Sequence, residues 1–432
     1  MKLTFHGSAG EVGRSCIELS VPAGDHEERF LLDAGFKVHD GEPELPLTVS
    51  DISGIKGVLI THSHMDHIGA LPYFHHQGMS APLFMTGMTK KLSRIMLNDS
   101  LHLELLRHHH PAYDDFDVKD VLRNTKEMKY FHLMRFGALE FEYIPSGHIP
   151  GSSMIMLKSG DQTILYSGDI NDEDTHLIHG MRTEFLKRHD VDVLICESTY
   201  GGREHKSRKS EQRRLISRVK KTLQQGGSVL MPAFAIGRAQ EILMLLDEAG
   251  IDVPIYLDGM AKTVADLLVG KDLHIRNYEA LEKALSRVKY VNGQKRRQTL
   301  LREQCVIVTT SGMVTGGPVM EYIKHLWHDP KSAILLTGFQ AKGTNGRMLK
   351  ESGEAVVDGK LVRFKCSIED FDLSGHAGSK GLLKLIRKTN PSILVLNHGD
   401  PEALSALSKL ARPHVDQVIV PENGHTLYID HT

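Results

Sequence analysis

The sequence predicts an α/β protein in which a β-rich unit is interrupted by a Rossmann-like segment and resumed after it. Three observations carry this. Residues 1–202 offer short apolar runs separated by polar turns, several of them ending in His or Asp. Between 203 and 345, short continuously apolar runs alternate with amphipathic helical stretches, the pattern of a parallel sheet covered on both faces. Residues 346–432 return to β character. The expected domains are a discontinuous unit, 1–202 and 346–432, and an inserted unit, 203–345.

In chain order, "KLTFHG" reads as a strand, and "SCIELSV" with "RFLLDAG" as a hairpin across the polar "PAGDHEE". "GVLITHSH" and "APLFMTG" are further strands. Apolar positions at Leu92, Ile95, Met96 and Leu105 predict a helix over roughly Met88–His108. "LEFEYIPSGH", "SMIMLKSGDQTILYSGD" and "VDVLICEST" are strands with polar ends. The insertion then runs basic helix, "SVLMPAF", the helix "GRAQEILMLLDEAG", "VPIYLDG", helix, "CVIVTTSG", helix, "AILLTGF". "AVVDGKLVRFKCSIEDFDLSGHAG" is β again. "PSILVLNHGDPEAL" is strand, loop and helix, and "QVIVPENGHTLYI" closes the chain.

Composition bounds the function. A net charge of -2 over 432 residues excludes a chain that attracts nucleic acid as a whole, so an anionic partner needs a local patch. Cys16, Cys196, Cys305 and Cys366 form no CxxC pair and sit in apolar surroundings. They read as reduced, buried thiols of a cytoplasmic protein. No signal peptide and no apolar run of membrane-spanning length is visible, so no membrane partner is expected.

The chemistry concentrates in "THSHMDH", where His62, His64, Asp66 and His67 follow the apolar run Val58-Leu59-Ile60. Imidazole and carboxylate suit zinc and similar divalent ions. This spacing serves two adjacent ions but completes neither site. Further candidates stand at other strand ends: His148 in "SGHIPGS", Asp169 in "LYSGDI" and His398 in "LVLNHGD". Two metals about 3.5–4 Å apart activate a shared hydroxide and stabilise the charge of a displacement.

These residues, with Asp33 in "LLDAG", resemble the metallo-β-lactamase superfamily. The resemblance implies an αββα sandwich with a binuclear site. It places His62, His64 and His148 on one zinc, Asp66, His67 and His398 on the other, and Asp169 between them. Asp33 would orient a ligand histidine; manganese is the alternative metal. Glu197 in "CESTYG", His376 in "DLSGHAG" and His398 in "NHGD" resemble motifs A, B and C of the β-CASP branch, whose members cleave nucleic acids. "PAFAIGRAQE", "SGMVTGGP" and "GFQAKGTNGR" resemble its inserted domain. "GSAGEVGRSCIEL" is closer to the short archaeal or bacterial cleavage-and-polyadenylation-factor type than to ribonuclease J, a near relative.

The activity implied is a zinc-dependent ribonuclease that hydrolyses RNA phosphodiester bonds with a two-metal-activated hydroxide. It would act as an endonuclease, a 5′-3′ exonuclease or both, on single-stranded RNA, and as a homodimer through the C-terminal segment. The alternatives are a DNA-directed nuclease of the same family and a non-catalytic RNA-processing scaffold. The local chemistry agrees with catalysis by Asp66, Asp33, His376 and Glu197: His376 serves as general acid, and Glu197 holds its ring and raises its pKa.

Glycines around His376 let the backbone at Ser374, Gly375 and Ala377 approach a phosphate. Arg238, and Lys342 with Arg347 in "QAKGTNGR", are further phosphate candidates. "REHKSRKSEQRRLISRVKK" supplies a basic strip for an RNA backbone, and "GQKRRQ" at Lys295–Arg297 a weaker one. "GSAGEVG" lacks G-x-G-x-x-G spacing and carries no weight as a dinucleotide site. His108–His110 diverge around a helix end and are set aside as ligands.

Overall fold

A computed structural model describes residues 1–39, 42–47, 49–106, 112–269 and 275–429. The chain divides into two compact units: 1–173, 180–204 and 376–432 form the first, and 174–179 with 205–375 the second.

The first unit contains two seven-stranded sheets. One runs Thr426–Tyr428, Lys2–Gly7, Cys16–Ala23, His26–Leu32, Ile55–Leu59, Leu83–Thr86, Thr125–Met128. The other runs Gln417–Ile419, Ile393–Asn397, Val193–Glu197, Gln162–Tyr166, Ser153–Ser159, Leu139–Pro145, Met134–Phe136. The period of two sorts side chains between layers. Phe30 and Leu32 point into the core shared with Phe141, Tyr143, Ile155 and Ile195 of the second sheet, while Leu31 joins a separate core. That outer core packs the first sheet against the helices Gly87–Leu106 and Asp115–Arg123 through Leu97, Leu101, Val118 and Val121. The helices Ser379–Thr389 and Pro401–Ala411 cover the second sheet through Leu382, Leu385, Leu404 and Leu407. The result is the expected αββα sandwich. The long helix spans Gly87–Leu106, and the last two residues of the expected Met88–His108 lie outside the described residues.

The second unit is built on a six-stranded, all-parallel sheet in the order Val288–Tyr290, Ile255–Asp258, Val306–Thr309, Val229–Pro232, Ala333–Leu336, Ser367–Asp370. Val229 and Met231 face one core and Leu230 the other, so both faces are buried beneath helices. Here the structure differs from the expected division. Residues 346–375 belong with the inserted unit, because Ser367–Asp370 extends its sheet in parallel beside Ala333–Leu336. The hairpin Glu354–Val357 with Lys360–Arg363 also packs there through Ala355 and Val357. Period and composition identify such strands without saying which sheet they join. Among the described residues, no helix is long and apolar enough to cross a membrane. Cys16, Cys196, Cys305 and Cys366 are buried free thiols.

Candidate metal centre

Strand direction gathers the candidate ligands on one edge of the first unit. Gln162–Tyr166, Val193–Glu197 and Ile393–Asn397 run parallel, and Leu139–Pro145 runs the same way two strands over. Glu197 closes its strand, and Asp169, His398 and His148 stand just past the C-terminal ends of theirs. In the other sheet, His26–Leu32 and the parallel Ile55–Leu59 end at Asp33 and at His62 with His64. The short helix Met65–Ile68 then carries Asp66 and His67. Loops past the carboxyl ends of parallel strands are where such folds place ligand chemistry.

The side chains converge. His64 Nδ1 lies 3.2 Å from His62 Nε2 and 3.1 Å from His148 Nε2. Asp169 Oδ2 is 3.4 Å from both His62 Nε2 and His67 Nε2 and 3.6 Å from His148 Nε2. Its Oδ1 is 3.3 Å from His398 Nδ1, whose Nε2 is 3.4 Å from Asp66. Three groups are compact enough to hold an ion: His62, His64, His148 and Asp169; Asp66, His67 and His398; and Asp169, Glu197 and His376. One carboxylate therefore touches all the histidines except His64.

Electrostatics favours a cation here. Burial drives the His62 imidazole well below its ordinary pKa and His64 to about 4, leaving them as neutral donors. Burial would also lower His67, but Asp169 and Asp33 outweigh it and hold that ring well above the usual range. Burial opposes ionisation of Asp66 and Asp169, yet the facing histidines keep both carboxyls below their usual range. His67 Nε2 is buried with no hydrogen-bond partner among the described residues. Converging imidazole nitrogens, neutral at His62 and His64, and anionic carboxylates fit divalent cations.

His376 stands beside this set. Its Nδ1 is 3.2 Å from both oxygens of Glu197 and 4.0 Å from Asp169. Burial would depress the ring; Glu197 and Asp169 reverse this and raise it to about 9. Glu197 is itself fixed by Ile170 N, which donates to Oε1 at 2.7 Å.

Several bracing residues escape sequence reading. Asp33 accepts from Thr61 N at 2.7 Å, Thr61 Oγ1 at 2.9 Å, Tyr166 OH at 2.8 Å and His67 Nδ1 at 2.7 Å. Ser15 Oγ lies 2.9 Å from Tyr166 OH. The loop "GSAGEVG" surrounds His398: Ser8 O accepts from His398 N at 2.8 Å, and Gly13 N donates to its Nε2 at 3.3 Å. Nothing in that loop's composition signals this role.

The phosphate candidates fare less well. Ala377 is buried and its N–H is engaged by Ile170 O at 2.6 Å, so that donor does not reach a phosphate. Ser374 and Gly375 fall in the second unit, where Ser374 O accepts from Arg208 Nη1 at 2.8 Å. Arg238 is buried and paired with Glu241, which also takes Arg208 at 2.8 Å. Arg347 pairs with Glu351 one turn on at 2.6 Å, while Lys342 is exposed. In the basic strip, Arg214 and Arg218 pair with Glu211 and Glu369. Arg297 of "GQKRRQ" is held by the buried Asp258 at 2.7 Å. His108–His110 lie outside the described residues.

Comparison with known proteins matches three domains along the chain. Residues 24–195 match a metallo-beta-lactamase superfamily domain, 239–349 a Beta-Casp domain, and 361–421 a Zn-dependent metallo-hydrolase RNA specificity domain. A probable RNase MJ4 of Methanocaldococcus jannaschii is 37% identical, over 99% of this chain and 100% of that protein. The RNase aCSPSF2 of Saccharolobus solfataricus is 33% identical, over 98% and 85%. The transcription termination factor FttA of Methanothermobacter thermautotrophicus is 32% identical, over 99% and 72%. A crystal structure of a protein of unknown function from Enterococcus faecalis V583 shares the fold, with a TM-score of 0.62, 14% identity and 99% of both chains covered.

Proposed function

This chain belongs to the β-CASP family of the metallo-β-lactamase superfamily, and on that premise we propose that it is a zinc-dependent ribonuclease hydrolysing phosphodiester bonds of single-stranded RNA. Its relatives' names as RNases support the substrate class. The observation that carries the reaction is the Asp169 carboxylate, which reaches both histidine sets beside the His376–Glu197 pair. Zinc is the metal of choice because the donor set is rich in imidazole. The close approach of His64 Nδ1 to His62 Nε2 at 3.2 Å and His148 Nε2 at 3.1 Å supports a shared cation.

When bound, the pair of ions supplies an activated water and neutralises charge at the scissile phosphate. Protein groups do the rest. His62, His64 and His148 would hold one ion and Asp66, His67 and His398 the other, with Asp169 facing both sets. Asp33 accepts the Nδ1 proton of His67 and so directs Nε2 inward. His376 delivers a proton to the departing oxygen, and Glu197 fixes the ring that carries it. The same reading includes self-association through the C-terminal segment, whose strand Thr426–Tyr428 forms a sheet edge with Tyr428 exposed; light scattering measures it.

The deciding experiment is digestion of 5′-monophosphate, 5′-triphosphate and circular RNA, with DNA controls, by wild type, Asp66→Ala and His376→Ala. Wild type is expected to cleave RNA. His376→Ala should lose about 10²–10⁴-fold with its zinc content intact, and Asp66→Ala should lose zinc and activity together. Cut circles establish endonuclease action. Undiminished cleavage by Asp66→Ala sinks the metal mechanism, preference for DNA reassigns the substrate, and RNA bound but uncut by wild type makes the chain a scaffold.

A further inference from the structure

The helix Ser379–Thr389 begins three residues after His376 and buries Leu382, Leu385 and Ile386 against the second sheet. Its opposite face carries Lys380, Lys384, Arg387 and Lys388, all exposed, at positions i, i+4, i+7 and i+8 of one stripe. The helix contains no acidic residue. Glu204 lies at its first turn, accepting from Ser379 Oγ at 3.1 Å and Lys380 N at 3.0 Å, with Lys380 Nζ 3.9 Å away. Beyond that turn, none of Lys384, Arg387 and Lys388 is paired with a carboxylate among the described residues, in contrast to Arg208, Arg214, Arg218 and Arg297.

At the helix's far end, about 16 Å along its axis, lies a cavity of about 480 Å³ lined by Arg387, Asn390, Ser392, His414 and a single acid, Asp416. Arg387 Nε and Nη2 approach His414 Nε2 at 3.2 and 2.9 Å. A guanidinium anchored by an imidazole is oriented without its charge being cancelled. With the Nε–Nη2 edge turned to His414, the Nη1–Nη2 edge remains as a planar fork that a phosphate can accept from. Stripe and cavity both lie in the first unit, within the segment 361–421 matched by the RNA specificity domain.

We propose that this stripe is the track for a single RNA strand extending from the metal centre, and that Arg387 and His414 clasp one of its backbone phosphates at the cavity. The substrate class rests on the ribonuclease reading above; the track itself is tested by binding. Cations at about one-turn intervals, Lys380, Lys384 and the Arg387–Lys388 pair, match a polyanion whose charges repeat along the strand, and such binding is read through its salt dependence.

The test compares wild type with K384Q/R387Q/K388Q and with K129Q/K158Q/K331Q, which removes the same charge from exposed lysines elsewhere. Affinity for a fluorescent 20-nucleotide single-stranded RNA is measured by anisotropy across a salt series. The helix variant should lose at least tenfold in affinity at low salt, and its slope of log K against log salt should fall by about 2, at about 0.7 per phosphate contact. His414→Gln should lose a smaller share. Equal losses in the two triple variants overturn the track, since charge alone would then explain them. So does unchanged RNA affinity accompanied by lost binding to poly-glutamate, which reassigns the stripe to an acidic protein. Failure of wild type to cut RNA would overturn the ribonuclease reading while this binding comparison still decides the track.

Discussion

Asp33 makes none of the convergent ion-holding contacts, yet Thr61, Tyr166 and His67 all donate into its carboxylate. Because His67 Nδ1 donates there, its Nε2 is the atom left to ligate an ion in the proposed site, facing Asp169 at 3.4 Å. Asp33 sits at φ 59°, a left-handed conformation that Asn also tolerates, so Asp33→Asn tests the carboxylate with little backbone penalty. Metal affinity should weaken by about 10–100-fold, read by competition with a chromophoric chelator while the far-UV spectrum stays native. Tyr166→Phe removes one donor of the set and should fall short of that loss. Unchanged affinity in Asp33→Asn would show that the ring of His67 is positioned by packing alone. The proposed ligands are legible in sequence because His and Asp just after apolar runs are unusual there. Thr61, Tyr166 and Ser15 are not, because their types occur everywhere and their role appears only when strands from distant parts of the chain meet.

The elements explain why the ligand loop holds its shape. Residues 34–36 run beside 65–67 as a short ladder: Ala34 N donates to His67 O at 2.8 Å, Phe36 N to Met65 O at 3.1 Å, and Ser15 N to Asp66 O at 2.7 Å. Gly35 lies between, and a Cβ there would fall 1.7 Å from Asp66 O and 2.5 Å from His67 N. No side-chain rotation relieves an overlap with backbone. Gly35→Ala should therefore cost about 3 kcal/mol or more, and it should remove the metal held by Asp66, His67 and His398 before that held by His62, His64 and His148. Metal analysis reading one ion where wild type holds two is the expected result; two ions and an unshifted melting transition would show the ladder can yield. Element type was largely readable, since "SCIELSV" and "RFLLDAG" do form the hairpin Cys16–Ala23 with His26–Leu32. Partnership was not. "KCSIEDF" joins the inserted sheet, and the basic strip near Arg208–Arg218 reads as an RNA surface until Glu241, Glu211 and Glu369 are seen to take its arginines. Those carboxylates lie elsewhere on the helix itself or far along the chain, where a charge count cannot register them.

Across the whole molecule, the candidate metal centre is completed only after the inserted unit has been made. Glu197 closes Val193–Glu197, and the chain then builds 205–375 before returning as Ile393–Asn397, in parallel register with the strand it left, Glu197 opposite Asn397. His398 follows at once, held at φ 49° by Ser8 O and by its own carbonyl's bond from Ser198 N. Segments from the beginning, middle and end of the chain thus meet at the proposed metal site, so ion binding should stabilise the first unit's sheets as a set. All the proposed ligands, and His376 and Glu197 with them, lie in that unit. At ion concentrations near 1,000 times Kd the stabilisation is about 4 kcal/mol, equivalent to roughly 10³-fold slower exchange of amides that open only with the unit. Hydrogen exchange with and without zinc should show that slowing in Val193–Glu197 and Ile393–Asn397, with much less in Val229–Pro232 and Val306–Thr309 of the other core. Equal slowing in both cores would mean the two units open as one, and the centre would then be stabilising the chain through more than the strands that carry its ligands.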